Sequence, residues 1–155
     1  AGAAGTEAEA RTRLERTLED GSARERLAAM VAAQGGDARA VYDESLLPLA
    51  PVQHTVAAPR DGYIAAIEAR EVGRVSMLLG GGRATKESAI DLSVGVVLRA
   101  KKGDRLRKGQ PLAVIHAKSR EDALLAEREL LTCYRFAGTC PALPPFIRGI
   151  IGGED

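Results

Sequence analysis

The sequence of 155 residues predicts an α+β protein, a helical hairpin followed by a β-rich segment with flanking helices. Three observations predict it. Apolar residues recur at helical spacing near the start, and short β-branched runs between glycine turns fill the middle. Charge changes at the same places: residues 1–50 carry six basic and nine acidic side chains, residues 51–118 twelve and six, and residues 119–155 four and six. The total of 22 basic against 21 acidic residues is near neutral, which argues against a generally basic nucleic-acid binder and against a disordered polyelectrolyte. Hydrophobic residues make up 45% and aromatic residues only 3%, so the core has to be built from Ala, Val, Leu and Ile.

The hairpin is expected over residues 1–36. Thr6-Glu7-Ala8-Glu9 has the capping-box form, with Thr6 placed to accept a backbone N–H and Glu9 to reach back. Leu14 and Leu18 share one face, backed by Ala10. Asp20-Gly21 interrupts, and Ser22-Ala23-Arg24-Glu25 reads as a second capping box, with Leu27, Met30 and Val31 as the buried stripe of the second helix. Gly35-Gly36 ends it. The opening Ala1-Gly2-Ala3-Ala4-Gly5 has no folded beginning of its own and suits a cloning scar or the cut end of a longer chain. Residues 37–51 read as a linker: Pro48 and Pro51 discourage helix, and Tyr42, Leu46, Leu47 and Leu49 are available to pin it to a surface.

Residues 52–155 form the second domain. A first strand runs from Val52 to Ala58 and stops at Pro59; Asp61-Gly62 turns into a second, Tyr63 to Ile67. Val72, Val75, Leu78 and Leu79 then follow helical spacing, and Gly80-Gly81-Gly82 stops that helix. Val94 to Leu98 and Leu112 to Ile115 are further strands, separated by turns at Lys101-Lys102-Gly103-Asp104 and Lys108-Gly109-Gln110-Pro111. Several short strands with glycine turns suggest a small barrel or sandwich. Ser119 caps a final helix reaching about Thr132, with Glu121 and Asp122 favourably placed in its first turn. Pro141 to Pro145 is extended, and residues 146–151 are a candidate last strand.

Reactive side chains are scarce. Gly80-Gly81-Gly82-Arg83 has the glycines and the cation of an anion cradle. It lacks the Gly-Lys-Ser/Thr ending of a nucleotide-binding loop and follows a helix rather than a strand, so a helix stop leading into a mobile loop is favoured. Arg99, Lys101, Lys102, Arg105, Arg107 and Lys108 form a basic run without an interleaved aromatic, which suits a solvated edge that discourages strand pairing better than a nucleic-acid surface. His54 and His116 lack ligand spacing and read as strand histidines satisfied by hydrogen bonds. Glu87 and Asp91 are four apart, but spacing alone assigns no acid or base role. Cys133 and Cys140 are too few for a disulfide scaffold or a cysteine-based zinc site, and read as two buried thiols or as one buried and one exposed. No metal or cofactor site is expected. Apolar runs too short to cross a bilayer, and no charged-then-apolar leader, predict a cytoplasmic protein without membrane or nucleic-acid partners.

Several motifs, taken in order, resemble one family. Residues 30–37 (Met-Val-Ala-Ala-Gln-Gly-Gly-Asp) are similar to a motif of the pyrimidine-nucleoside and thymidine phosphorylases. Met77-Leu78-Leu79-Gly80, then Gly82-Arg83-Ala84-Thr85-Lys86, then Ile90-Asp91-Leu92-Ser93-Val94-Gly95 resemble the signature of their C-terminal domain. Gly103-Asp104, Lys108-Gly109, Pro111 to Ile115 and Pro144-Pro145-Phe146-Ile147 continue the match, which is weakest between Cys133 and Pro141.

The resemblance implies a barrel-sandwich-hybrid-like β domain in residues 52–155, with residues 1–36 as the end of the family's α/β domain. It also implies reversible phosphorolysis of uridine- or thymidine-type nucleosides at a cleft between a helical and an α/β domain, both ahead of this chain. The partners are then the rest of the phosphorylase chain, with phosphate and pyrimidine nucleoside bound there, and a homodimer at full length. No catalytic or substrate-binding residue transfers onto this chain. Gly80, Gly81, Gly82, Arg83 and Lys86 remain as a candidate closure loop, the alternative being a local Arg83–Asp91 ion pair. A second resemblance, of residues 57–64 to lipoyl and biotinyl carrier domains, would need a modified lysine beside methionine, and Lys101, Lys102 and Lys118 have none. A stand-alone interaction module is the remaining alternative.

Overall fold

The chain divides its tertiary structure at Pro48, its first proline. A computed structural model describes residues 2–83, 85–145, 147–149 and 151, and it separates into two units, Ala1–Pro48 and Leu49–Asp155. The first contains helices α1 (Glu7–Glu19) and α2 (Ser22–Ala33), followed by two 3-10 turns, Ala38–Val41 and Glu44–Leu46. Thr6 caps α1 as expected, its hydroxyl accepting the Glu9 N–H at 3.2 Å, while Glu9 reaches back to the N–H of Gly5, not to that of Thr6. The second capping box does not form. Gly21, at φ 81°, occupies the cap of α2, and the Asp20 carboxylate takes the Ser22 N–H at 2.9 Å. Asp37 and Asp43 start the two 3-10 turns by accepting the N–H two residues on.

The stripe expected to be buried in α2 is not. Leu27 and Met30 are exposed and Val31 is half-buried; Ala28 is the one buried residue among the described residues of this unit. Leu14 and Leu18 are also exposed. Spacing put these residues on common faces, but a two-helix hairpin has too little surface to cover them.

The second unit holds two antiparallel three-stranded sheets. Strands β1 (Val52–Ala57), β3 (Gly95–Leu98) and β5 (Pro111–Ala117) make one, ordered β1-β5-β3; β2 (Gly62–Ile67), β4 (Arg105–Leu106) and β6 (Tyr134–Ala137) make the other, ordered β4-β2-β6. Helices α3 (Ala69–Ser76) and α4 (Arg120–Thr132) complete it. The apolar run of β5 occupies the centre of the first sheet, and its Leu112, Ala113, Ile115 and Ala117 are fully buried. Residue pairing alternates sides along the ladder: His54 lies opposite Ile115, whereas His116 lies opposite Gln53 and Gly95. The two histidines therefore face opposite sides of the sheet.

Strands β4 and β6 are not among the strands expected from the sequence, and among the described residues both are edge strands paired with β2. The candidate strand at residues 146–151 is not seen: 147–149 and 151 are outside any strand, and Phe146 and Ile150 lie outside the described residues.

Helix α4 packs through two alanines and a leucine. Ala123, Ala126 and Leu130 are buried, whereas Leu125 is exposed and Leu124 barely covered. Polar ties hold it in place: Glu127 meets His54 of β1 at 2.8 Å, and Glu129 meets Arg74 of α3 at 2.7 Å. Arginines cover two of the few aromatic rings, Arg60 over Phe136 and Arg105 over Tyr63, at 5.6 and 5.8 Å.

Candidate functional site

The glycine loop begins where α3 is pinned to the core. Val75 is fully buried and Leu79 nearly so, and beyond Ser76 the helix widens into a π turn at Met77–Gly81. Gly80 has φ 101°, a conformation that costs any L side chain, and this ends the helix. Gly81 is required for a different reason. A Cβ there would lie 2.9 Å from Ser76 Oγ, 3.1 Å from the Ser76 carbonyl and 3.2 Å from that of Val94, closer than packing allows.

The loop's far end returns to the same point. Asp91 donates its N–H to the Gly80 carbonyl at 2.9 Å. Its Oδ1 accepts the N–H of Ser93 at 2.9 Å and the Ser93 hydroxyl at 2.6 Å, and its Oδ2 lies 3.2 Å from Lys118 Nζ. The Ser93 hydrogen bonds, with a further contribution from the Lys118 ammonium, lower the Asp91 pKa from 3.8 to about 2. The expected alternative of an Arg83–Asp91 ion pair is thereby corrected: the partner of Asp91 is Lys118, which follows the central strand β5. Arg83 and Lys86 are exposed, Arg83 next to the last glycine and Lys86 within a Thr85–Ser88 turn. The sequence brought Gly80, Gly81, Gly82, Arg83 and Lys86 together as one loop, but Lys118 was invisible to it, because no local spacing links residues so far apart.

The remaining candidates separate. Glu87 is exposed while both oxygens of Asp91 are engaged elsewhere. His54 is hydrogen-bonded to Glu127 as expected of a strand histidine. Cys133 is buried, its thiol against the Glu129 carbonyl, and burial pushes its pKa up; Cys140 is exposed. The six cations of the basic run are exposed, and none pairs with a carboxylate among the described residues. Arg105 stands in edge strand β4, as the reading of the run as a guarded edge requires. No group of three or more His, Cys, Asp or Glu among the described residues could hold a metal ion, and no helix among them is long and apolar enough to cross a membrane.

Residues 63–137, which contain both ends of the loop and Lys118, match the family model described as the pyrimidine nucleoside phosphorylase C-terminal domain. The second unit is thus a nucleoside phosphorylase C-terminal domain. Similarity extends beyond it. The pyrimidine-nucleoside phosphorylase of Geobacillus stearothermophilus is 45% identical over 139 residues, which is 90% of this chain and 32% of that protein. That of Bacillus subtilis (strain 168) is 47% identical over 109 residues, 70% of this chain and 25% of its own length. A thymidine phosphorylase of Sinorhizobium medicae (strain WSM419) is 38% identical over 148 residues, 95% of this chain and 34% of the relative. The chain belongs to the pyrimidine-nucleoside and thymidine phosphorylase family, as its C-terminal region. It spans only a quarter to about a third of the length of these relatives.

Proposed function

We propose that this chain is the C-terminal part of an enzyme that reversibly phosphorolyses uridine- or thymidine-type nucleosides, and that its role there is domain closure and scaffolding. Phosphate would attack the sugar C1′ as the pyrimidine base leaves, with oxocarbenium-like charge developing on the sugar. Such a step gains from donors and anion-binding groups held in a site from which water is excluded. On this reading those groups belong to the helical and α/β domains, with residues 1–36 as the end of the α/β domain, 37–51 as linker and 52–155 as the C-terminal domain. The two sheets would form a barrel-sandwich hybrid, and the full-length protein would be a cytoplasmic homodimer.

One observation carries the closure role. A loop with two exposed cations, Arg83 and Lys86, stands on a stem tied by Asp91, with a left-handed Gly80 and a closely packed Gly81 at its base. Closing a domain over a reaction expels water and completes the catalytic geometry, so a loop outside the reacting centre can govern turnover. In the full-length enzyme, Arg83→Ala should lower kcat while the circular dichroism spectrum is retained; unchanged kinetics would sink the closure role. This chain alone, mixed with uridine or thymidine and phosphate, should release no free base. Measurable turnover would place catalytic groups within these residues after all.

A further inference from the structure

Three parts of the second unit converge at the base of the glycine loop: the Gly80 carbonyl ending α3, Ser93 leading into β3, and Lys118 leaving β5. Asp91 meets all three, through its N–H to Gly80 at 2.9 Å, through Oδ1 to Ser93 at 2.6 and 2.9 Å, and through Oδ2 to Lys118 at 3.2 Å. Lys118 also stands close to Gly80, its Nζ 3.7 Å from where a Cβ there would lie. The backbone beneath Lys118 is fixed, because Ile115 and Ala117 of the central strand are fully buried. The loop beyond the stem is exposed at Arg83, Thr85, Lys86 and Glu87. Apart from the Thr85–Ser88 turn, its order has to come from its base.

We infer that Asp91 and Lys118 are positioning residues, a clasp that holds the stem of the loop so that Arg83 and Lys86 are presented in one arrangement for closure. This rests on the reading of that loop as the closure element. A loop ordered beforehand loses less conformational freedom when it docks, so the clasp acts on turnover through the loop and touches no reacting group.

The test uses the full-length phosphorylase with Lys118→Met, Lys118→Arg and Arg83→Ala. Amide hydrogen exchange of the loop is measured beside kcat and KM for uridine with inorganic phosphate. Lys118→Met should speed exchange in residues 81–91 and lower kcat, each by roughly two- to five-fold, the range an exposed ion pair supplies, with KM little changed. Lys118→Arg should restore both. Unchanged exchange in Lys118→Met overturns the clasp. Faster exchange with unchanged kcat, while Arg83→Ala does lower kcat, overturns the positioning role and leaves the closure reading standing. Faster exchange with neither variant altering kcat overturns the closure reading itself and reduces the pair to a structural one.

Discussion

Substituting Gly80 by alanine isolates the backbone cost of ending α3 where it does. Gly80 sits at φ 101° and ψ 1°. An added Cβ would meet Lys118 Nζ at 3.7 Å and Asp91 Cβ and Val94 Cγ2 at 3.9 Å, all ordinary contacts. Nothing clashes, so the loss comes from the dihedral alone, about 1–2 kcal/mol for an L residue forced into the left-handed region. For a unit of roughly 100 residues that corresponds to a fall in Tm of about 5–10 °C. Trp is absent, so tyrosine fluorescence reports unfolding, and a Tyr42→Phe background confines the reporters to Tyr63 and Tyr134 of the second unit. Gly73→Ala is the opposing control: it lies inside α3 with no atom within 4 Å of a new Cβ, and should stabilise by about 0.5–1 kcal/mol. If Gly80→Ala costs less than about 0.5 kcal/mol, or moves Tm the same way as Gly73→Ala, the left-handed stop is not what terminates the helix.

Three further outcomes follow from burial and charge. Leu130→Ala should cost about 2–5 kcal/mol in urea denaturation, because Leu130 is 0% exposed, whereas Leu125→Ala, at 56% exposure, should stay within about 0.5 kcal/mol; equal losses would mean α4 is rotated. The folded-state pKa of Asp91, about 2, lies below the ordinary 3.8, so ionised Asp91 stabilises the fold above that ordinary value and the contribution fades as pH falls through about 2. Asp91→Asn should therefore narrow the stability difference between mildly and strongly acidic urea titrations; an unaltered acid limb would contradict the Ser93 and Lys118 contacts. Iodoacetamide at mildly alkaline pH should label exposed Cys140 well before Cys133, whose thiol is buried and shifted upward; peptide mass mapping that finds comparable rates would place Cys133 at the surface.

Much of the fold is local and so was legible. Thr6 and Ser119 cap their helices because a hydroxyl reaches an N–H three residues on, a distance readable along the chain. The continuous apolar run of β5 announces a central strand. Other features escaped for a common reason. β4, only Arg105–Leu106, is too short for a pattern of its own, and the brief Tyr134-Arg135-Phe136 alternation of β6 follows directly on α4; both are held by pairing with β2. Leu14, Leu18, Leu27 and Met30 were placed on the right faces, but spacing cannot say whether anything covers a face. At the site, the glycine triplet marked the loop, and four-residue spacing drew attention to Asp91 beside Glu87. Its actual partner comes from the end of another strand.

By itself, the sequence determined where α1 and α4 start, where glycines must break helices, and which ordered motifs tie the chain to a phosphorylase family. Those are properties of neighbouring residues, governed by capping, dihedral limits and turn chemistry within a few positions. Only the tertiary structure decided which face of the first sheet each histidine takes, which leucines remain exposed, and that Asp91 closes the loop on Lys118. Each of these depends on strands and helices distant in sequence being packed side by side, and a hydrogen bond or an ion pair forms wherever that packing sets its groups a few ångströms apart.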